Sequence, residues 1–185
     1  DILSEIKDLG LLSVSFLEAL PIRTEDFPDD SMFYPIVESV RNTLIKEELL
    51  PADDGSFVSA GNAKLARGAD LRKLLGQVQL GQLFQSTATI KWLAGEITQD
   101  ITPDLRSYLI SELDVEEVTP DGLARRISHA FLSGQPDEWF VDFYGYLSGQ
   151  EALWRAPRWE RDPGGVLRSK PILRLANGSQ EAPFK

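Results

Sequence analysis

The sequence predicts an α+β fold that is mainly helical, with β-hairpins and a small mixed or antiparallel sheet. Two apolar segments run into an Asp-Gly or Asn-Gly turn followed by Ser, at Asp54-Gly55 and at Asn177-Gly178. These dipeptides supply the positive φ that tight hairpin turns require. Three further segments begin with Pro-Asp and continue with apolar residues at helical spacing. Helical segments therefore outnumber strands in the predicted fold.

The first half of the chain is expected to consist of short elements. Gly10 ends the first helix, and Pro35 is tolerated in the third element because it lies near the helix start. In chain order we expect a helix over 1–9, a strand over 11–22, a helix over 32–50, the first hairpin with its second strand over 56–60, helices over 69–75 and 78–84, and a β-branched strand over 87–93.

Three helices are expected in the middle of the chain, beginning at Thr102-Pro103-Asp104, Thr119-Pro120-Asp121 and Gln135-Pro136-Asp137. Pro in the first helical position loses no needed hydrogen bond, and Asp in the first turn interacts favourably with the helix dipole. We expect the three helices to pack as one unit. The core of that unit should include Leu109, Leu113, Ile127, Phe131, Phe140 and Phe143.

Residues 1–185 are expected to form a single α+β module cut from a larger protein. The sequence begins at Asp1 without Met and stops just after the second hairpin. A chain of 185 residues is long enough to bury a core. We expect a sub-division into a helix and hairpin part over 1–97 and a helical layer with the C-terminal hairpin over 98–185.

Composition indicates a cytoplasmic protein without a membrane partner, and it makes a nucleic-acid partner less favoured. The chain has no Cys, which favours a reducing compartment, and no apolar run approaches the ~20 residues of a membrane span. The net charge of −10 disfavours a nucleic-acid partner, because neutralising phosphates requires a surplus of Lys and Arg. The acidic runs at 25–30 and 112–121 lack the ligand spacing of a Ca²⁺ site and are expected to be solvated faces.

A helix-turn-helix motif is an alternative interpretation of the Pro-Asp helices, with Ala124-Arg125-Arg126 on the recognition helix. The acidic run at 112–121 directly precedes that helix and opposes the alternative, because like charges would repel DNA.

The sequence contains no arrangement of residues that indicates catalysis. His129 is the only imidazole, so any catalytic triad or multi-His zinc site would have to include it. We expect His129 to lie on a helix face without a role in chemistry. No phosphate-binding loop is present. We therefore assign no catalytic residue, no metal ligand and no cofactor.

The chain is acidic overall, but residues 154–170 form a basic segment that contains five basic residues and two acidic ones. Alternating Trp and Arg side chains can stack on bases, clamp a phosphate or receive a partner peptide. The other interpretation is a surface connection whose tryptophans pack inward while its arginines pair with neighbouring acids. The candidate partner-binding residues are Trp154, Arg155, Arg158, Trp159 and Arg161.

The stretches LLPADDGSFVSAGNAKLAR, at 49–67, and SKPILRLANGSQEAPF, at 169–184, resemble the linking region of large bacterial proteins related to sacsin and to the plant NO VEIN protein. Residues 101–132 and 136–147 are also similar to that region, so the resemblance covers most of the chain. In these proteins a heat-shock-90-type (GHKL) ATPase domain lies near the N-terminus. The resemblance implies a chaperone-like parent protein that binds ATP elsewhere in its chain.

The ATP-binding residues of that superfamily do not carry over to this sequence. Its nucleotide pocket needs an Asp-x-Gly-x-Gly turn, and Phe57 stands where the second Gly should be. The resemblance therefore implies a non-catalytic middle module that contacts other domains of the same chain and client proteins. The alternatives are a nucleic-acid-associated module that uses the Trp/Arg segment at 154–170 and, third, an independent enzyme.

Overall fold

The computed structural model describes residues 2–20, 27, 31–155 and 165–183. These residues are mainly helical and include β-hairpins and a small sheet, so the predicted α+β class is confirmed. The chain forms two compact units: the first is Asp1–Leu65 with Ala88–Glu117, and the second is Ala66–Thr87 with Val118–Lys185. This division differs from the one expected at residue 97, because residues 98–117 pack with the N-terminal part of the chain.

Most helices and strands in the described residues are short, and α3 and α9 are the longest, with 13 and 12 residues. In chain order the elements are α1 (Ile2–Asp8), α2 (Val14–Ala19), α3 (Tyr34–Lys46), β1 (Leu50–Pro51), β2 (Phe57–Val58), a 3₁₀ turn (Ala60–Asn62), β3 (Ala63–Ala66), α4 (Ala69–Leu74), α5 (Gln77–Phe84), β4 (Lys91–Trp92), α6 (Pro103–Ser111), β5 (Glu116–Val118), α7 (Pro120–Arg126), α8 (His129–Ser133), α9 (Asp137–Ser148), α10 (Glu151–Trp154), β6 (Leu173–Arg174) and β7 (Gln180–Glu181).

The prediction of a strand over 11–22 is wrong, since this segment contains the helix α2. The Ser13 hydroxyl accepts a hydrogen bond from the Phe16 N–H at 3.1 Å and caps the helix. Val14 and Leu17, one helical turn apart, are both buried in the core of the first unit. The N-cap and the buried pair at helical spacing thus explain why this segment is a helix.

Strands β1 to β5 form two small sheets, the pair β1-β2 and a three-stranded sheet in the order β4-β3-β5. Strand β1 pairs antiparallel with β2, and Ala52, directly after β1, forms an isolated antiparallel bridge with Leu93, directly after β4. Strand β4 pairs parallel with β3, whose four residues are all buried. Burial of every residue is typical of a central strand that is covered on both faces.

The acidic run at 112–121 is not the solvated face that its composition suggested. Three of its carboxylates form ion pairs with cations from other elements of the first unit: Glu112 with Arg41 and Glu116 with Lys64, each at 3.6 Å, and Glu117 with Arg106. Lys64 and Arg106 are buried, at 8% and 5% exposure. A buried cation needs a nearby carboxylate, which explains why these acids lie where they do.

The Pro-Asp segments start helices as predicted, but they do not pack as one unit. The first forms α6 in the first unit, whereas the other two lie in the second unit. The second helix is also shorter than expected, because α7 ends at Arg126 and the Ser128 hydroxyl caps a new helix, α8. All the predicted core residues are buried, with Leu109 and Leu113 in the first unit and Ile127, Phe131, Phe140 and Phe143 in the second.

Both predicted hairpins are confirmed, and their turns have the same hydrogen bonds. Gly55 and Gly178 have φ of 78° and 82°, in the left-handed region that favours glycine. In each turn the Gly N–H bonds to the carbonyl three residues before it, at 3.1 Å and 2.9 Å. The side-chain oxygens of Asp54 and Asn177 each accept from the N–H of the Ser two residues later at 3.0 Å.

An aromatic cluster on α9 forms the centre of the second unit. The rings of Trp139 and Phe143 stack with centroids 4.7 Å apart, and Phe131 meets Trp139 edge-on at 5.6 Å. The buried indole N–H of Trp139 donates to the Leu74 carbonyl at 2.9 Å, which ties α9 to the end of α4.

Replacing Phe143 by Ala should destabilise the protein by about 3–5 kcal/mol, because this ring is fully buried and its removal leaves a cavity. Val141→Ala on the same helix is the control, since Val141 is 70% exposed and its truncation should change stability by about 0.5 kcal/mol or less. Urea unfolding followed by circular dichroism measures both. Equal midpoints for the two variants would show that the buried face of α9 is assigned incorrectly.

Candidate functional site

The predicted partner-binding segment is only partly described by the structure. Trp154 is half-buried, and its indole N–H donates to the Leu147 carbonyl at 3.2 Å. Arg155 is exposed and pairs with Glu151, one turn earlier, at 3.5 Å. Arg158, Trp159 and Arg161 lie outside the described residues. Trp154 is therefore anchored within the second unit, whereas Arg155 faces solvent.

The two described bases at the end of this segment bind backbone carbonyls of the second unit. Arg168 donates to the Trp154 carbonyl at 3.1 Å. The Lys170 ammonium donates to the carbonyls of Arg125 and Ile127, at 2.9 Å and 3.0 Å. A cation at the end of α7 also interacts favourably with the helix dipole. Both bases serve the fold, which weakens the nucleic-acid alternative for this segment.

A cluster of three polar side chains links the first hairpin to the sheet of the first unit. The Lys91 ammonium donates to the Asp54 carboxylate at 3.0 Å and to the Ser56 hydroxyl at 2.6 Å, and that hydroxyl donates to Asp54. The hydrogen bond from the Ser56 hydroxyl, followed by that from Lys91, lowers the pKa of Asp54 from 3.8 to about 2.

The chemistry of this cluster is that of a structural clamp. A Ser–Lys pair can act as nucleophile and base when the lysine nitrogen is free to take the serine proton. Here the Lys91 side chain pairs with the Asp54 carboxylate, and the Ser56 hydroxyl bonds to that same carboxylate, so both side chains are engaged in holding the turn. We therefore assign Lys91 the role of holding the hairpin turn against β4.

A candidate binding surface lies in a groove of the second unit, which we call the hairpin groove and which is lined by both apolar and polar side chains. It lies between α9 and the β6–β7 hairpin and has a volume of about 510 Å³. Asp137, Phe140, Val141 and Tyr144 line it from α9, and residues 174–178 line it from the hairpin. Val141 is 70% exposed and Tyr144 37% exposed, so apolar surface faces solvent here.

Tyr144 fastens the hairpin to α9 and so fixes the width of the groove. Its hydroxyl donates to the Ile172 carbonyl at 2.9 Å and accepts from the Arg174 N–H at 2.8 Å. Both hydrogen-bonding functions of the phenol are therefore satisfied by the same strand. The walls of the groove are thus held together by contacts within the chain.

Arg174 closes one end of the hairpin groove. Its guanidinium lies over the Phe140 ring, 5.3 Å from the centroid, and pairs with Asp137 at 3.0 Å. A guanidinium over an aromatic face is attracted by the ring quadrupole. The guanidinium thus covers the buried Phe140 ring, and the charges of Arg174 and Asp137 in the lining of the groove neutralise each other.

The remaining polar features do not form a site. His129 is exposed at the start of α8, where its Nδ1 lies 3.2 Å from the Ser133 hydroxyl. Burial raises the pKa of Tyr108 and of Tyr146 to about 12, but the two hydroxyls lie in different units. Within the described ranges, no group of three His, Asp or Glu side chains is placed to hold a metal ion.

A second cavity, of about 360 Å³, lies along α3 and is lined mainly by polar side chains.

Little in the amino-acid sequence indicates the hairpin groove. Helical spacing predicts Phe140 only as a core residue, and Asn177-Gly178 is predicted only as a turn. The available signal was Val141, an apolar residue next to Asp142 on the polar side of an amphipathic helix. The partner of that face comes from residues 172–178, about thirty positions further along the chain, and helical spacing contains no information on such contacts.

No protein-family model matches this sequence, and comparison with curated proteins and with solved structures also found no match. In the part of the chain that the structure describes, none of the helices combines the length and apolar character needed to cross a bilayer.

The pKa of Asp54 provides a test of the hairpin clamp. Ser56→Ala should raise it from about 2 towards 3.8 by more than Lys91→Met does, because the serine hydroxyl contributes the largest effect. Since folding lowers this pKa, the stabilisation is complete above about pH 4 and is lost as the pH falls towards 2. Carbon-detected NMR titration of the carboxyl group measures the pKa directly.

Ser179→Ala is the matched control for the clamp, because Ser179 has the same place in the second hairpin but bonds to the neutral Asn177. It should leave the titration of Asp54 unchanged. A wild-type Asp54 that titrates at the ordinary value would contradict the hydrogen bonds on which the clamp depends.

Proposed function

We propose that this chain is a non-catalytic module that acts through protein–protein or interdomain contacts, with the hairpin groove as its contact surface. The observation that carries the proposal is a formed groove whose apolar side chains are exposed. Val141 and Tyr144 on α9 and Leu175 on the hairpin line the groove and are 70%, 37% and 38% exposed. Clustered exposed apolar side chains beside a concave surface are typical of sites that bind a partner.

The absence of a catalytic role is part of the same proposal. The Ser56 hydroxyl is held in a clamp with Asp54 and Lys91, and the single histidine bonds to the Ser133 hydroxyl on its own helix. The sequence also has no glycine-rich phosphate-binding loop. These features support a role in binding rather than in turnover.

The resemblance to sacsin-like and NO VEIN-like proteins supports a more specific form of the proposal. In this form the chain is a cytoplasmic coupling module of a chaperone-like parent protein, which carries a heat-shock-90-type ATPase domain elsewhere. Its partners would then be other domains of the same chain and client proteins. The full-length reading frame tests this form: a parent without the Asn-bearing helix and the Asp-x-Gly-x-Gly turn of that superfamily would exclude it.

The chain should neither bind nor hydrolyse Mg-ATP, because its sequence provides neither a phosphate cradle nor an adenine-holding Asp-x-Gly-x-Gly turn. Isothermal titration calorimetry with Mg-ATP measures binding, and a phosphate-release assay measures hydrolysis. Saturable binding in the micromolar range would contradict the assignment as a non-catalytic module.

A photo-reactive residue in the hairpin groove should cross-link to a defined protein segment. We would replace Val141 by p-benzoylphenylalanine in the full-length protein, irradiate cells and identify the adducts by mass spectrometry. Val78 on α5 is the control position, since it is 65% exposed and lies outside the groove. We expect discrete adducts when the photo-reactive residue is at position 141, and we expect these adducts to be absent when it is at position 78. The same pattern from both positions would refute the groove as a contact surface.

A further inference from the structure

The open side of the hairpin groove is acidic. Successive residues of a helix are separated by about 100°, so Glu138 and Asp142 lie on the flank of α9 next to Val141. Both are exposed, and Asp137 lines the groove itself with a side chain that is 79% exposed. Three carboxylates therefore surround the apolar residue that is most exposed on this helix.

The helix dipole explains only part of this acidic flank. Asp137 and Glu138 lie in the first turn of α9, where negative charge is favourable. Asp142 lies beyond that turn and is four residues from Glu138, a spacing at which like charges repel each other. A cation supplied by a partner would relieve this repulsion.

The basic group of the groove is already engaged. Arg174 pairs with Asp137 and lies over Phe140, and its side chain is only 23% exposed. An acidic partner would have to displace Asp137 before it could reach this guanidinium. A basic partner meets Glu138 and Asp142 without displacing any ion pair that involves Arg174.

We infer that the hairpin groove binds a short peptide segment in which an apolar anchor residue stands next to Lys or Arg. The inference rests on the proposed function and specifies the chemistry of its partner. The anchor would contact Val141, Tyr144 and Leu175, which line the groove and are exposed, and the neighbouring cation would lie against Glu138 and Asp142. Apolar burial supplies affinity in such a complex, and the charges supply selectivity and a faster association rate.

Selection from a phage-displayed library of random linear peptides tests the inference without assuming a partner. The wild-type protein is the bait, and the double variant Val141→Gln with Leu175→Gln is used for counter-selection. Gln removes the apolar contact without adding charge. The matched control is Val78→Gln with Ile110→Gln, because these two residues are 65% and 38% exposed, against 70% and 38% in the groove.

Charge reversal on the flank measures the electrostatic part. Glu138→Lys with Asp142→Lys should weaken binding of a selected peptide at least about fivefold at low salt, and about 500 mM NaCl should reduce the difference, since exposed charges are screened. The control is the double variant Glu5→Lys with Asp8→Lys, which changes the net charge by the same amount. These two residues lie on α1 of the first unit, outside the groove. That control should change the affinity less than about twofold.

The possible results separate the inference from the proposed function. Enriched peptides that pair an apolar residue with Lys or Arg, and that bind the control variant but not the groove variant, support both. Enriched peptides that need the groove but carry Asp, Glu or no charge overturn the inference and leave the proposed function in place. No enrichment on the wild type over the groove variant overturns both. Circular dichroism of each variant verifies folding.

Discussion

The buried guanidinium of Arg106 constrains the first unit more than any other single group. It donates to the Ile97 carbonyl at 3.1 Å and to the Glu117 carboxylate, so it joins α6 to the preceding loop and to β5. An unpaired charge at this depth typically costs ~3–5 kcal/mol. The register of β5 is fixed in consequence, because a shift by one residue would turn Glu117 to the opposite face of the strand.

One turn design is used twice, with a different charge in each hairpin. Asp54 carries a carboxylate, which recruits Lys91 and ties the first hairpin to its neighbouring strand. Asn177 supplies the same acceptor to Ser179 as a neutral amide, so its turn forms without an ion pair to the Asn side chain. The neutral turn borders the hairpin groove, where the charged one would add a further carboxylate to an already acidic surface.

Local chemistry made the hairpins and the starts of the Pro-Asp helices predictable, because Gly55, Gly178 and the prolines act within a few residues of themselves. The sequence was misleading where one cap decides the outcome, as Ser13 does for α2. The sequence contains no signal for contacts between segments that are far apart along the chain. Arg41 reaches Glu112 across 71 positions, and Tyr144 reaches Arg174 across 30. The division into two units and the hairpin groove both depend on such long-range contacts.

The phenol of Tyr144 also protects the protein against unwanted association. The Ile172 carbonyl and the Arg174 N–H point away from β7, and they are the groups to which an incoming strand from another molecule would bond. Exposed strand edges of this kind are templates for aggregation. A single side chain that is both donor and acceptor occupies both groups, so a bound segment must rely on its side chains rather than extend the hairpin as a third strand.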